Sequence, residues 1–121
     1  MELALKACWL ALAAVHAMPA AVLVQPSLLK RLYGVAGDGP AGALLTHRGA
    51  LFLAVLAVAL LVAFDPGARR AASLVVAISV VGFLAVYASA GLPAGPLRDI
   101  AVVDAIALLP LAAIVVAAWR S

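Results

Sequence analysis

The sequence has few charged residues and almost no cysteine, and each shortage excludes a class of protein. Asp, Glu, Lys and Arg make up 11% of its 121 residues, whereas a soluble domain has about 25%. Apolar residues make up 69% of the chain. So little polar surface cannot cover a water-soluble core, and we predict a membrane protein. A single cysteine, Cys8, excludes an intramolecular disulfide and the usual zinc sites, so we interpret it as a packing residue.

The apolar residues are grouped in runs that are long enough to cross a bilayer. A transmembrane helix needs about 20 predominantly apolar residues. The runs cover residues 3–24, 44–64, 71–91 and 100–119. Short connections between such helices make neighbours antiparallel. We therefore predict an all-α fold, an integral membrane antiparallel four-helix bundle that forms a single domain over residues 1–121.

A basic segment separates the first two runs. Residues 27–33 place leucines on one side and Lys30 and Arg31 on the other, which is typical of a short amphipathic helix in the membrane interface. Tyr33 ends this segment, and we expect its ring at the level of the lipid head groups. The glycine-rich residues 34–42 that follow are predicted to form a loop, because they lack the spacing of a phosphate-binding motif.

Prolines mark expected irregularities in the helices. Pro19 lies inside the first run and removes the donor that would pair with the carbonyl of Val15, so we predict a kink beside His16. Pro110 is expected to kink the last helix in the same way. The tripeptide Asp65-Pro66-Gly67 predicts a tight turn between the second and third runs.

Ionisable side chains inside the predicted spans collect near one end of the bundle. At 1.5 Å of rise per residue, Arg48 and Tyr87 lie about 6 Å inside that end, with His47 slightly less deep. Asp104 lies about 6–9 Å in and His16 about 12 Å in. A charge inside the hydrocarbon layer is costly without a partner. We therefore predict an ion pair between Arg48 and Asp104, with His16 hydrogen-bonded to Tyr87 or Asp104.

Other interpretations of this polar layer stay open at the level of sequence. The pair of charges could fix helix register and bind nothing. A proton relay could pass through His16, Asp104 and Arg48. We predict no cofactor and no metal, although a haem held between His16 and His47 is an alternative. The serines of the third run are expected to bond to their own helix or to the next one.

Several short motifs resemble a known group of proteins over nearly the whole chain. They are His16-x-x-Pro19, Leu32-Tyr33-Gly34, His47-Arg48 followed by Leu51-Phe52, Phe64-x-Pro66, Ser79-Val-x-x-Phe83 and Val103-Asp104. Together they resemble small, uncharacterised four-helix bacterial inner-membrane proteins, which are broadly DoxX-like and often labelled phosphopantetheine adenylyltransferase. The resemblance implies a four-helix membrane bundle and singles out His16, Tyr33, His47, Arg48 and Asp104.

The label of adenylyltransferase finds no support in the residues, and no other catalytic motif is recognisable. Neither histidine is followed by x-Gly-His, which a soluble nucleotidyl transferase of that kind needs, so we expect no such activity. Small multidrug exporters need a glutamate embedded in the first helix, whereas Glu2 precedes the first run. Membrane glutathione transferases need an asparagine-bearing motif, and the sequence contains no asparagine.

These observations lead to a functional prediction. We expect a polar pocket that binds a small amphiphile, such as a lipid or a quinone, with Arg48 receiving an anionic or carbonyl oxygen. The alternative is a structural or assembly subunit of a larger membrane complex, or a homo-oligomer. The scattered cations do not indicate nucleic-acid binding. Their distribution at the helix ends favours both termini in the cytoplasm, with the protein in the bacterial inner membrane.

Overall fold

A computed structural model describes residues 1–120, and this part of the chain is helical with no strand. The helices are α1 (Glu2–Val15), α2 (Ala17–Ala21), α3 (Leu28–Tyr33), α4 (Gly39–Phe64), α5 (Arg69–Ser89) and α6 (Pro96–Arg120), with a 3₁₀ turn at Pro66–Ala68 between α4 and α5.

Within residues 1–120, three segments are long and apolar enough to cross a membrane, namely α4, α6 and the unit formed by the 3₁₀ turn with α5. At most 28% of each apolar window is buried within the protein, so most of this surface faces outwards. Such an apolar exterior suits a lipid bilayer and is costly in water, which is compatible with a membrane protein.

The predicted first span is not one continuous helix. α1 ends at Val15, His16 forms a turn, and α2 ends at Ala21, so the expected helix over residues 3–24 is wrong at its middle and at its end. The interruption lies where Pro19 removes a backbone donor, and the predicted kink beside His16 is confirmed. In contrast, α6 continues as one helix through Pro110.

The start of α4 also differs from the prediction. The expected loop over residues 34–42 ends early, because α4 begins at Gly39 with a proline in its first turn. Proline is well tolerated there, since the first backbone N–H groups of a helix have no partner within the helix. The short helix predicted over residues 27–33 is confirmed as α3, which ends at Gly34 in a left-handed conformation with φ of 71°, and its place in the membrane interface stays a prediction.

The long helices surround one core. α1 packs against α4 and α6, while α5 packs against α6 and α4, which gives the cyclic order α1, α4, α5, α6. α4 and α6 are therefore diagonal to each other. Small residues such as Ala59 and Ala63 are fully buried where α4 meets the other helices, which lets the backbones approach closely. The core also contains Trp9, Leu12, Val62, Val76, Val80 and Ile114.

An ion pair closes the end of the core opposite Arg48. Arg69 is buried, and its Nη2 lies 2.6 Å from an oxygen of Glu2. Its Nε and Nη2 also donate to the carbonyls of Val62 and Ala63, at 2.7 and 2.9 Å. These carbonyls belong to the last turn of α4, where no helical donor follows. Arg69 therefore caps α4 and ties it to the start of α1.

Candidate functional site

Arg48 is held by aromatic rings. Its guanidinium carbon lies 4.7 Å from the ring centre of Phe52 on α4 and 5.6 Å from that of Phe83 on α5. The ring of Tyr33 on α3 is 5.8 Å away. A guanidinium within about 6 Å of a ring centre is attracted by the negative face of the ring. Three helices thus converge on one cation, whose Nε is buried without a hydrogen-bond partner within residues 1–120.

The predicted ion pair between Arg48 and Asp104 is wrong as a direct contact. Within residues 1–120, the ion pair formed is that of Glu2 and Arg69. Asp104 is half-buried on α6 and, within residues 1–120, forms no ion pair with Arg48. The reason is the helix order: α4 and α6 are diagonal, and the guanidinium is turned towards rings on α3, α4 and α5.

His16 is buried and has partners that differ from those predicted. Its Nδ1 lies 2.8 Å from the carbonyl oxygen of Leu12, and its Nε2 lies 2.8 Å from the hydroxyl of Ser79. The predicted partners, Tyr87 and Asp104, are wrong. The turn at His16 places its ring towards α5, beside the ring of Phe52 at 5.6 Å between centres.

The contacts of His16 fix its tautomer. A carbonyl oxygen can only accept, so Nδ1 must carry the hydrogen and donate to Leu12. In the neutral ring Nε2 then has a lone pair and accepts the hydroxyl hydrogen of Ser79. Both ring nitrogens of His16 are engaged within the protein.

The remaining candidates lie at the edge of this region. Tyr87 is buried, stacks on Phe83 at 6.0 Å between ring centres, and donates its hydroxyl to the carbonyl of Pro93 at 2.7 Å. This bond anchors the loop before α6 to α5. His47 is exposed on α4. The structure therefore brings Arg48 and Tyr33 together, sets Tyr87 beside them through Phe83, and leaves His47 outside.

A groove of about 440 Å³ opens beside Arg48, between α4 and α5. Its wall is almost entirely apolar, with polar groups supplied by Arg48 and Ser79. The other lining residues are Leu51, Phe52, Val55, Val75, Ile78, Gly82, Phe83 and Val86. The groove is thus an apolar surface that carries one cation, Arg48, and one hydroxyl, Ser79.

The sequence analysis assigned no role to Ser79, which appears there only within the motif Ser79-Val-x-x-Phe83, and none to Arg69. Ser79 was one of several serines in its helix, and the available signal was the spacing of Ser79 and Phe83, one helical turn apart. Arg69 follows a turn and has the position of an ordinary flanking cation, so its burial had no signal in the sequence. Within residues 1–120, no group of three or more His, Cys, Asp or Glu side chains is placed to hold a metal ion.

No protein-family model, no curated protein and no solved structure matches this chain.

Proposed function

We propose that this chain is a small polytopic protein of the bacterial inner membrane whose groove between α4 and α5 binds an amphiphile. In this proposal the broken segment α1–α2 crosses the bilayer together with α4, α5 and α6, which gives a four-helix membrane bundle of the DoxX-like kind, with both termini cytoplasmic. The outward apolar faces of the long helices support membrane insertion.

The observation that carries the proposal is the environment of Arg48. In the described part of the chain its Nε is buried without a hydrogen-bond partner, and its charge faces three aromatic rings with no carboxylate in contact. A guanidinium without a hydrogen-bond partner in an apolar region costs free energy, and a ligand oxygen bound to its outer nitrogens would offset that cost. Arg48 would receive an anionic or carbonyl oxygen of the ligand, and the aliphatic groove would accept its tail.

The class of ligand follows from the lining. Aliphatic and aromatic side chains dominate the groove, which suits an acyl or isoprenoid chain. Both a lipid and a quinone combine such a chain with oxygen atoms that a guanidinium can bind.

Native mass spectrometry tests the proposal. The protein is extracted in mild detergent and incubated with phosphatidylglycerol or with a long-chain quinone. We expect an adduct with at least one of these probes, weakened about tenfold or more by Arg48→Gln, because a hydrogen bond to a charged group contributes about 1.5–3 kcal/mol. Arg31→Gln is the matched control, since Arg31 is an exposed cation on α3 outside the groove.

Equal adducts in the wild type and in Arg48→Gln would contradict the proposal. The alternative function, a subunit of a larger membrane complex, is favoured by a second groove of about 730 Å³ between α1 and α6. Small residues line it, including Ala4, Ala112 and Ala113, and small residues allow close helix contacts in membranes. A protein partner retained in the native spectrum, with no lipid or quinone adduct, supports that alternative.

A further inference from the structure

Ser79 bonds differently from its neighbours. Thr46, Ser73 and Ser89 each donate a hydrogen bond to a carbonyl of their own helix, three or four residues earlier. That is the common behaviour of hydroxyl side chains in membrane helices. Ser79 instead lies 2.8 Å from Nε2 of His16, on a different segment of the chain. Its hydroxyl is therefore directed towards an imidazole lone pair.

The pair has the geometry of an activated nucleophile. Such a site needs a hydroxyl within hydrogen-bond reach of a base, and a third group that orients the base. Here His16 is the base, and the carbonyl of Leu12 holds its Nδ1 hydrogen at 2.8 Å. Burial of His16 between α4 and α5 keeps the ring in place, with Phe52 beside it.

The nucleophile also has access to the groove. Ser79 forms part of the groove wall, while His16 lies behind it and is 3% exposed. A ligand in the groove would meet the hydroxyl and not the imidazole. Arg48 and Ser79 line the same groove, so a ligand bound by the guanidinium would lie along the wall that carries the hydroxyl.

We propose that Ser79 and His16 form a nucleophile–base pair that transfers the acyl group of an ester-linked amphiphile bound in the groove. This inference rests on the proposed function, because the groove must first bind the amphiphile. It adds a reaction class, ester cleavage or acyl transfer, and a role for His16 beyond packing.

The reaction balances with water or an alcohol as the second substrate. Ser79 Oγ attacks the ester carbonyl carbon while its hydrogen passes to His16 Nε2, and the developing negative charge on the carbonyl oxygen is stabilised by Arg48. The bond from the carbonyl carbon to the ester oxygen breaks, and His16 returns the proton to the departing alcohol. Water or a second alcohol then attacks the carbonyl carbon of the acyl-Ser79 ester and gives its proton to His16. The bond from that carbon to Ser79 Oγ breaks, His16 returns the proton to Oγ, and the free acid or a new ester is released.

An alkyl fluorophosphonate tests the pair directly, because such probes phosphonylate activated serines. The full chain in detergent is treated with the probe and digested, and the modified residue is located by peptide mass spectrometry. We expect an adduct on Ser79 in the wild type and none on Ser73 or Ser89, whose hydroxyls donate to carbonyls. A wild type without an adduct on Ser79, beside a serine esterase that is labelled in the same detergent, overturns the inference.

Variants separate chemistry from structure. His16→Gln removes the base, and we expect the rate of labelling at Ser79 to fall about 100-fold or more, since general base catalysis typically contributes that much. Ser89→Ala is the control and should leave the rate unchanged. Equal rates in the wild type and in a folded His16→Gln overturn the role of the base, and wild-type labelling stays decisive if that variant does not fold.

The same samples distinguish this inference from the proposed function. If phosphatidylglycerol binds the wild type more strongly than Arg48→Gln, but the probe forms no adduct on Ser79, acyl transfer is overturned and the binding function stays supported. An adduct on Ser79, with equal lipid capture by the wild type and Arg48→Gln, supports the reactive pair and overturns the amphiphile as its substrate.

Discussion

The guanidinium carbon of Arg48 lies 4.7 Å from the ring centre of Phe52, one turn further along the same helix. Side chains at positions i and i+4 lie on one face of a helix, so the cation and the ring can contact each other within α4 alone, without packing against another helix. This contact explains how an arginine is retained on the apolar helix α4 although no carboxylate within residues 1–120 touches it. The rings of Phe83 and Tyr33 complete the surroundings from α5 and α3.

We expect Arg48 and Phe52 to be energetically coupled. A double-mutant cycle of Arg48→Met and Phe52→Leu, measured by unfolding in mixed micelles, should give a coupling energy of about 0.5–2 kcal/mol, the range of cation–π contacts from exposed to desolvated. The control cycle pairs Arg31→Met with Phe52→Leu and should be additive. Additive effects for Arg48 and Phe52 would show that the ring does not hold the cation.

Gly82 allows the groove to be blocked without disturbing the fold. A Cβ atom at this position would meet nothing within 4 Å, and the residue lines the groove. We expect Gly82→Leu to reduce binding of the amphiphile about tenfold or more, while stability is unchanged or rises by up to about 1 kcal/mol, because glycine disfavours helices. Lipid capture and thermal unfolding measure the two effects.

The matched control for the blocked groove is Ala85→Leu, on the same helix but exposed and outside the groove. It adds similar bulk and should leave lipid capture at the wild-type level. Full binding by a folded Gly82→Leu would place the ligand elsewhere on the protein.

Arg69 is expected to contribute strongly to stability. Its removal by Arg69→Met leaves the carbonyls of Val62 and Ala63 without these donors and Glu2 without its partner. Hydrogen bonds to charged groups contribute about 1.5–3 kcal/mol each, so we expect a loss of at least that size. Arg69→Lys should recover only part of it, because an ammonium group cannot reproduce the planar fork.

The control for Arg69 is Arg120→Met, since Arg120 is exposed at the end of α6. Exposed substitutions usually change the free energy of unfolding by less than about 0.5 kcal/mol. Equal losses for the variants at positions 69 and 120 would mean that Arg69 does not cap α4.

The ion pair of Glu2 and Arg69 predicts a dependence of stability on pH. The hydrogen bond from Arg69 lowers the pKa of the Glu2 carboxyl below its ordinary value, against a smaller opposing effect of desolvation. The folded state therefore favours the ionised carboxylate. Its stabilising contribution is complete above the ordinary pKa of about 4.3 and is lost as the pH falls through the lower pKa of the folded state.

Thermal unfolding of the wild type and of Glu2→Gln from pH 7 to pH 3 measures this contribution. We expect the wild type to be the more stable at pH 7 and the difference to shrink below about pH 4.3. The difference is expected to be small, because Glu2 is exposed to solvent. A constant difference over the whole range would contradict the assignment.

The sequence predicted the long helices well, because an apolar run of bilayer length leaves few alternatives. The predicted helix boundaries are wrong where glycine and proline residues are compatible with both a loop and a helix. Residues 39–42 contain two glycines and a proline, which are typical of a loop, yet Pro40 suits the first turn of α4. Gly42 is required there, because a Cβ atom would lie 2.5 Å from the backbone of Gly37.

The sequence could predict how deep the residues of the candidate site lie in the bundle, but not which neighbouring helix each side chain faces. Counting rise along each helix placed Arg48 and Asp104 at a common level. It could not show that α4 and α6 are diagonal, and this order keeps the two charges apart. The contact between His16 and Ser79 could not be predicted for a similar reason. The break before α2 turns the ring of His16 towards α5, and helix periodicity does not extend across a break.

The central claim is that the groove beside Arg48 holds the tail of an amphiphile, and a crystal structure with a fatty acid brominated along its chain tests it most directly. Anomalous scattering locates the bromine atoms even where the rest of the fatty acid is disordered. We expect bromine between α4 and α5, against Val55 and Val75, with the carboxylate bound to Arg48. Bromine confined to the groove between α1 and α6 or to the outer lipid layer, with Arg48 unbound, would contradict the claim.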